Sequence, residues 1–277
     1  MNASAAWGPM QRKGAISLTF DNLGEAAALR RGDPVPTASV GQDPTASFIS
    51  RLLAVVGDLP CTWFIEASNA TLYPAQIRSW HEAGKEVGIH AWQHEHWAEL
   101  GPSERVMLLG RCQDAFDSIG VTPRGFRPPG GLLPPGALDE FREADLAYCS
   151  PLGTPGASGL QGRLAVLPFA WPHVDAYMLD PTLAAFREQH GDPAPPGSLA
   201  QWRASLEAAL AFASEQQRHV TVIFHPYLLI SSVGMLDELH QFVSSLRARA
   251  DVWIASCSEV SDWLHRGDEL AAPSTES

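Results

Sequence analysis

His90 and His94 stand four residues apart in GKEVGIHAWQHEHW (84–97), directly after a short apolar run. Imidazole is the commonest metal ligand, and this spacing turns both rings the same way if a helix begins just after a strand. Three distant stretches offer groups that would complement a cation. Asp21 closes AISLTFD and is a carboxylate able to take a proton from a polarised water. Arg127, in a stretch otherwise poor in charge, is a counter-ion able to keep Asp21 ionised and oriented. His225 ends VTVIFH, where Pro226 stops the strand, and is placed to protonate a leaving amine; Asp175, in AWPHVDAY, is a partner that would set its tautomer and raise its pKa. Taken singly, each has an ordinary alternative. Paired histidines are often packed or surface imidazoles, an Asp after a strand is often a turn former, and Arg127 could belong to a surface ion pair. Trp92, Trp97 and Trp171 flank these stretches and offer flat faces to a substrate, though packing explains such aromatics equally well.

These groups can meet only if strand ends bring them together. Apolar runs predict strands at 15–20, 61–68, 86–91, 124–128, 145–150, 164–171, 219–225 and 251–256. Between them, helical spacing or capping signals predict helices opening near Pro44, over 72–83, from a Ser103 cap to about Ile119, over 137–144, from a Ser198 cap, over 234–249 and near the C-terminus. Residues 30–44 and 128–136 read as rim loops. Strands that are apolar throughout, alternating with helices, indicate α/β architecture: a parallel sheet closed or nearly closed into a distorted (β/α)7–8 barrel. In such a barrel the reactive groups sit at the carboxyl ends of strands, where Asp21, His90, Arg127 and His225 all fall. The expected organisation is an N-terminal extension at 1–14, a single domain at 15–266 and a flexible tail at 267–277.

The whole chain has 277 residues, 45% of them hydrophobic, and a net charge of -12. That balance suits one globular domain and disfavours nucleic acid as a partner, because phosphate tracking needs clustered Lys and Arg. No secretory apolar region and no membrane-spanning run is evident, so a cytoplasmic location is expected. Cys61, Cys112, Cys149 and Cys257 are widely spaced, with no CxxC pair, and read as buried thiols. A homo-oligomer remains open.

Several of these stretches together resemble the polysaccharide deacetylase family, also called the NodB-homology or carbohydrate esterase family 4 group. TFDN at 19–22 is similar to its TFDD motif, HAWQH at 90–94 to H-[ST]-x-x-H, RPPGG at 127–131 to R-x-P-[FY]-G, and IFHP to its last histidine motif. The likeness extends over residues 15–260, and EVGIHAWQHEHW is similar to the branch containing a deformylase of a lipid-linked amino sugar at the cytoplasmic face. The resemblance implies Asp21 as general base, Asn22, His90 and His94 as metal ligands, His225 as general acid and Arg127 as the residue orienting the base. It also implies an oxyanion-stabilising N–H near Gly130; Trp92 and Trp171, beside these motifs in sequence, are the candidate substrate contacts on position alone. The implied cofactor is a divalent ion, zinc first, with cobalt or nickel as alternatives. Three positions depart from the pattern: Asn22 replaces an aspartate ligand, Ala91 a hydroxyl residue and Gly130 an aromatic. Asn22 could still ligate through its amide oxygen, or Glu25 could supply the carboxylate.

The expected activity is hydrolysis of an N-acetyl or N-formyl group on a soluble small molecule such as an amino sugar or biosynthetic intermediate. Two alternatives stand beside it: an allantoinase-like opening of a cyclic amide or imide, and a non-catalytic binding module with a decayed metal site.

Overall fold

The computed structural model describes residues 6–32 and 40–271. Its sheet is built around β1 (Gly14–Asp21), in which all eight residues are buried. That is the pattern of a parallel strand covered on both faces. β1 pairs in parallel with β9 (His219–Phe224) along one edge, and with β2 (Thr62–Ile65) and β10 (Val252–Ile254) along the other. Beyond β2 follow β3 (Glu86–Ile89), β4 (Gly125–Phe126), β5 (Tyr148–Cys149) and β7 (Leu164–Val166), with β6 (Gly159–Gln161) added antiparallel outside. β8 (Phe169–Val174) lies at the opposite end, beside β9.

The expected distorted barrel therefore forms, and the expected single strand over 164–171 splits to close it. Pro168, which cannot donate to a ladder, separates β7 from β8, so consecutive residues serve the two ends of the curled sheet. A parallel bridge between Leu152 and Phe169 holds the seam, where Gly153 N donates to Phe169 O and Phe169 N to Pro151 O, each at 2.9 Å.

The covering helices are α1 (Ala26–Arg31), α2 (Pro44–Val56), α3 (Asn69–Leu72), α4 (Pro74–Glu82), α5 (Pro102–Asp117), α6 (Ala137–Glu143), α7 (Asp175–Leu179), α8 (Ala184–Gln189), α9 (Leu199–Glu215), α10 (Pro226–Ser231), α11 (Met235–Ala248) and α12 (Cys257–Ala271). Ser198 caps α9 in a reciprocal box with Gln201, as its position predicts. The expected Ser103 cap is displaced: Gly101 precedes α5 without a side-chain cap, and Pro102 takes the first turn, where its missing N–H costs nothing. The expected helix over 72–83 breaks at Tyr73 (φ -131°, ψ 45°), because the residue before Pro74 is driven out of helical geometry.

Against the core, Trp63 and Trp80 meet at 5.0 Å, with Phe20 packed on both. Residues expected to be extensions partly join the fold. Trp7 is buried, bridges to Arg12 and donates its indole N–H to Gln217 O at 3.0 Å, while α12 continues to Ala271. The ends 1–5 and 272–277 lie outside the described residues, as do 33–39 of the expected rim loop. No helix is long and apolar enough to cross a membrane among the described residues.

Candidate active site

Every group of the site leaves the carboxyl end of a parallel strand. Asp21 ends β1, Glu66 follows β2, His90 follows β3, Arg127 follows β4, Ser150 follows β5, Asp175 opens α7 after β8, and His225 follows β9. At this rim the chain departs from ordinary geometry. Asn22 (φ 68°), Ala91 (φ 62°) and His94 (φ 68°) all adopt the left-handed conformation, which side chains other than glycine seldom take and which clusters at functional sites.

His90 and His94 do meet, with ring centroids 5.0 Å apart, but no helix carries them. Residues 91–93 form a turn, and the left-handed Ala91 and His94 swing the second ring back over the first. Glu95 fastens this turn, accepting the Trp92 and Gln93 backbone N–H groups at 2.9 and 2.8 Å. A buried carboxylate thus braces the loop in which Ala91 lacks a hydroxyl.

The third donor beside these rings is Glu66, whose carboxylate and the two imidazoles bring one ligand atom each within 4.8 Å of one another. No motif in the sequence flags this residue. Glu25, expected as the substitute carboxylate, is held elsewhere: it accepts the Tyr73 hydroxyl and, at 2.9 Å, the Gly41 N–H. Asn22 directs its side-chain amide to Glu66 Oε1, and Leu23 N donates to Oε2 at 3.1 Å.

This donor set fits a divalent cation. Burial pushes His90 down to about 3 and His94 well below its ordinary value, so both rings are neutral and carry a lone pair. His90 Nδ1 lies 2.8 Å from Arg127 O, and a carbonyl only accepts, so the proton is on Nδ1 and Nε2 is the free donor atom. Burial raises Glu66 to about 7, against the lowering effect of its hydrogen bonds from Asn22 and Leu23, and a bound cation would favour its ionised form.

Next to these donors lie two buried acid–base pairs. Arg127 Nη1 donates to Asp21 Oδ1 at 2.5 Å and to Thr19 Oγ1 at 2.9 Å, while Nη2 reaches Ser150 Oγ at 3.0 Å. Its guanidinium also stacks 4.0 Å above the Phe64 ring, which fixes its plane. On the other side His225 Nδ1 lies 2.6 Å from Asp175 Oδ1, and His225 N donates to Oδ2 at 2.8 Å. Burial alone would lower the His225 pKa, but the Asp175 carboxylate more than offsets it and the value is raised. Asp175 is itself raised by burial.

Asp21, His90, His94 and His225 share one cavity of about 260 Å³. Trp171 and Gly130 line it, and a side chain at Gly130 (φ 71°) would meet nothing within 4 Å. Trp92 does not: its ring lies 3.6 Å under Arg111, outside the cavity. Trp97 is fully buried between Phe126 and Phe141. In a turn, neighbours of a ligand in sequence point away from it. Tyr177, Phe186 and His96, which no motif flagged, also line the cavity.

The sequence model described as polysaccharide deacetylase matches residues 9–149, half of the chain. The peptidoglycan deacetylase-like protein FGM2 of Gibberella zeae is 30% identical over 86 residues, covering 29% of this chain and 25% of that protein's length. Chitin deacetylase 1 of Cryptococcus neoformans is 32% identical over 75 residues, covering 27% of this chain and 16% of that protein. Among solved structures, a Mycobacterium smegmatis protein assigned to the polysaccharide deacetylases superposes with a TM-score of 0.79 at 22% identity, covering 100% of this chain and 98% of that one. PuuE allantoinase superposes at 0.73 with 14% identity, covering 94% and 92%. At those identities the likeness of the solved structures concerns the fold, but the sequence match to the first half is independent of it, and the chain belongs to the polysaccharide deacetylase family.

Proposed function

We propose that this chain is a metal-dependent amidohydrolase that removes a small acyl group from the nitrogen of a small molecule. The observation that carries the reading is that a carboxylate paired with Arg127 and an imidazole paired with Asp175 open on the same cavity as the His90 and His94 rings. His90, His94 and Glu66 would hold the ion; Asn22, whose amide is turned to Glu66, would position that carboxylate. A bound divalent ion polarises an acyl carbonyl and lowers the pKa of a nearby water.

The protein's own groups account for the proton movements. Asp21, held in place by the Arg127 guanidinium, accepts the proton of the attacking water as its oxygen bonds to the acyl carbon. His225, held protonated by Asp175, gives a proton to the departing nitrogen as the C–N bond breaks. The products are a carboxylic acid and an amine.

The test is acid release from N-acetyl and N-formyl amines by protein loaded with zinc, cobalt or nickel, alongside Asp21→Asn and His225→Ala. Both variants are expected to lose turnover while melting cooperatively. Full turnover in both would refute the assignment. Cyclic ureides belong in the same assay, because the fold is shared with PuuE allantoinase. The reading as a decayed binding module is weakened by Glu66, which places a carboxyl oxygen beside the two imidazoles where Asn22 offers none.

A further inference from the structure

Resting on the hydrolase reading, we infer that the amine half of the substrate is a flat hydrocarbon group, making the substrate class N-acyl arylamines rather than N-acyl sugars. The titratable groups that line the cavity are Asp21, His90, His94, His96 and His225. The part of the lining built by β8, α7, α8 and the turn between the two helices is apolar: Phe169, Trp171, Val174, Tyr177, Leu183 and Phe186. Among the described residues of that wall the one hydroxyl, on Tyr177, is already donated to Asp192. The Trp171 indole N–H is buried without a hydrogen-bond partner among the described residues, a single donor against a wall otherwise made of carbon.

A sugar ring carries hydroxyls around its edge, and burying them against carbon without partners costs free energy. An arylamine ring has no such groups and gains from contact with aromatic faces. The wall is also preformed. Trp171 stacks on Tyr177 at 5.1 Å, meets Phe186 edge-on at 5.0 Å and Phe169 at 5.4 Å, so the rings brace one another before anything binds. A cavity of about 260 Å³ suits one ring and its acyl group and is too small to enclose a chain of sugars.

The experiment titrates the whole protein, with and without zinc, against acetanilide, N-acetylglucosamine and diacetylchitobiose, reading tryptophan fluorescence and, separately, acetate release. Acetanilide is expected to bind at least about 10-fold more tightly than either sugar, and Phe186→Ala to weaken acetanilide by a similar factor while leaving the sugars unchanged. Leu183→Asn, a smaller change in the same wall, provides the same reading if Phe186→Ala melts early. Equal or tighter binding of a sugar, or no saturable binding of acetanilide, overturns the inference. Acetanilide binding without acetate release from any probe refutes the hydrolase reading and leaves the pocket assignment standing. Acetate release from the sugars alone does the reverse.

Discussion

Asn22 donates its side-chain amide to the carboxylate of Glu66, 44 positions away, across the adjacent ends of β1 and β2. Where the resemblance leads one to expect a carboxylate after β1 there is an amide, and the carboxylate beside the two imidazoles follows β2 instead, with that amide as its hydrogen-bond donor. If Glu66 is the third ligand, Glu66→Gln should reduce zinc affinity by more than the roughly 10-fold to 100-fold that loss of an outer partner costs. Glu25→Gln should leave it unchanged. Asn22→Asp should tighten zinc binding and lower the stability of the metal-free protein, since two carboxylates would then face each other without a cation. Calorimetric titration with zinc measures all three, and equal affinities for Glu66→Gln and the parent would remove Glu66 from the site.

His225 depends on Asp175 for its proton at working pH. Burial opposes the imidazolium and the Asp175 carboxylate restores it, so the folded value stands above the ordinary 6.5. A general acid of this kind supports turnover up to its raised pKa and loses it as pH climbs past. Asp175→Asn keeps a hydrogen-bonding shape but removes the charge, leaving burial in control and driving the His225 pKa down. The alkaline limb of kcat should move toward acid, and the rate at pH 8 should fall by about 100-fold or more, the scale of general acid catalysis. An unmoved limb with a lower plateau would mean that Asp175 acts by packing alone.

Several site residues were legible because each closes an apolar run: Asp21, His90 and His225 stand where β1, β3 and β9 end. Glu66 follows the same rule in TWFIE, yet its role comes from Asn22, and nothing in the local pattern joins 22 to 66. The His90 and His94 pair was legible as a spacing, while the turn that unites it depends on two left-handed residues that no periodicity announces. The aromatic wall was hidden for a different reason. Residues 175–197 lack a regular apolar period, and Phe186 and Tyr177 reach Trp171 only through the short helices α7 and α8.

Arg127 and Asp21 form an ion pair in which the side chains are 1% and 7% exposed. Breaking such a pair from one side leaves a buried charge without a partner. Arg127→Met should therefore cost about 3–5 kcal/mol in urea unfolding, and Arg127→Lys should not rescue it, because a single ammonium cannot reproduce the fork to Asp21 and Ser150. Adding Asp21→Asn to Arg127→Met should recover part of the loss. If the double variant is no more stable than the single, the damage comes from the lost Thr19 and Ser150 contacts instead.

Gly125 opens the strand that presents Arg127, and its lack of a side chain is a packing requirement. A methyl group there would stand 2.0–2.3 Å from atoms of the Tyr148 ring, deep inside contact distance. Tyr148 cannot retreat freely, since its hydroxyl donates to Glu86 Oε1 at 2.7 Å, and Glu86 also accepts the Thr62 hydroxyl at 2.7 Å and the Ser258 N–H at 3.0 Å. The shift would thus pull on β2, β3 and the start of α12 together. Gly125→Ala should destabilise the fold by about 1–3 kcal/mol, as overpacking does. Gly110→Ala, where an added methyl meets nothing within 4 Å on α5, should be neutral or slightly stabilising. Chemical denaturation of the two variants compares them directly. A Gly125→Ala protein as stable as the parent would show that Tyr148 can move without disturbing the Glu86 cluster beneath the site.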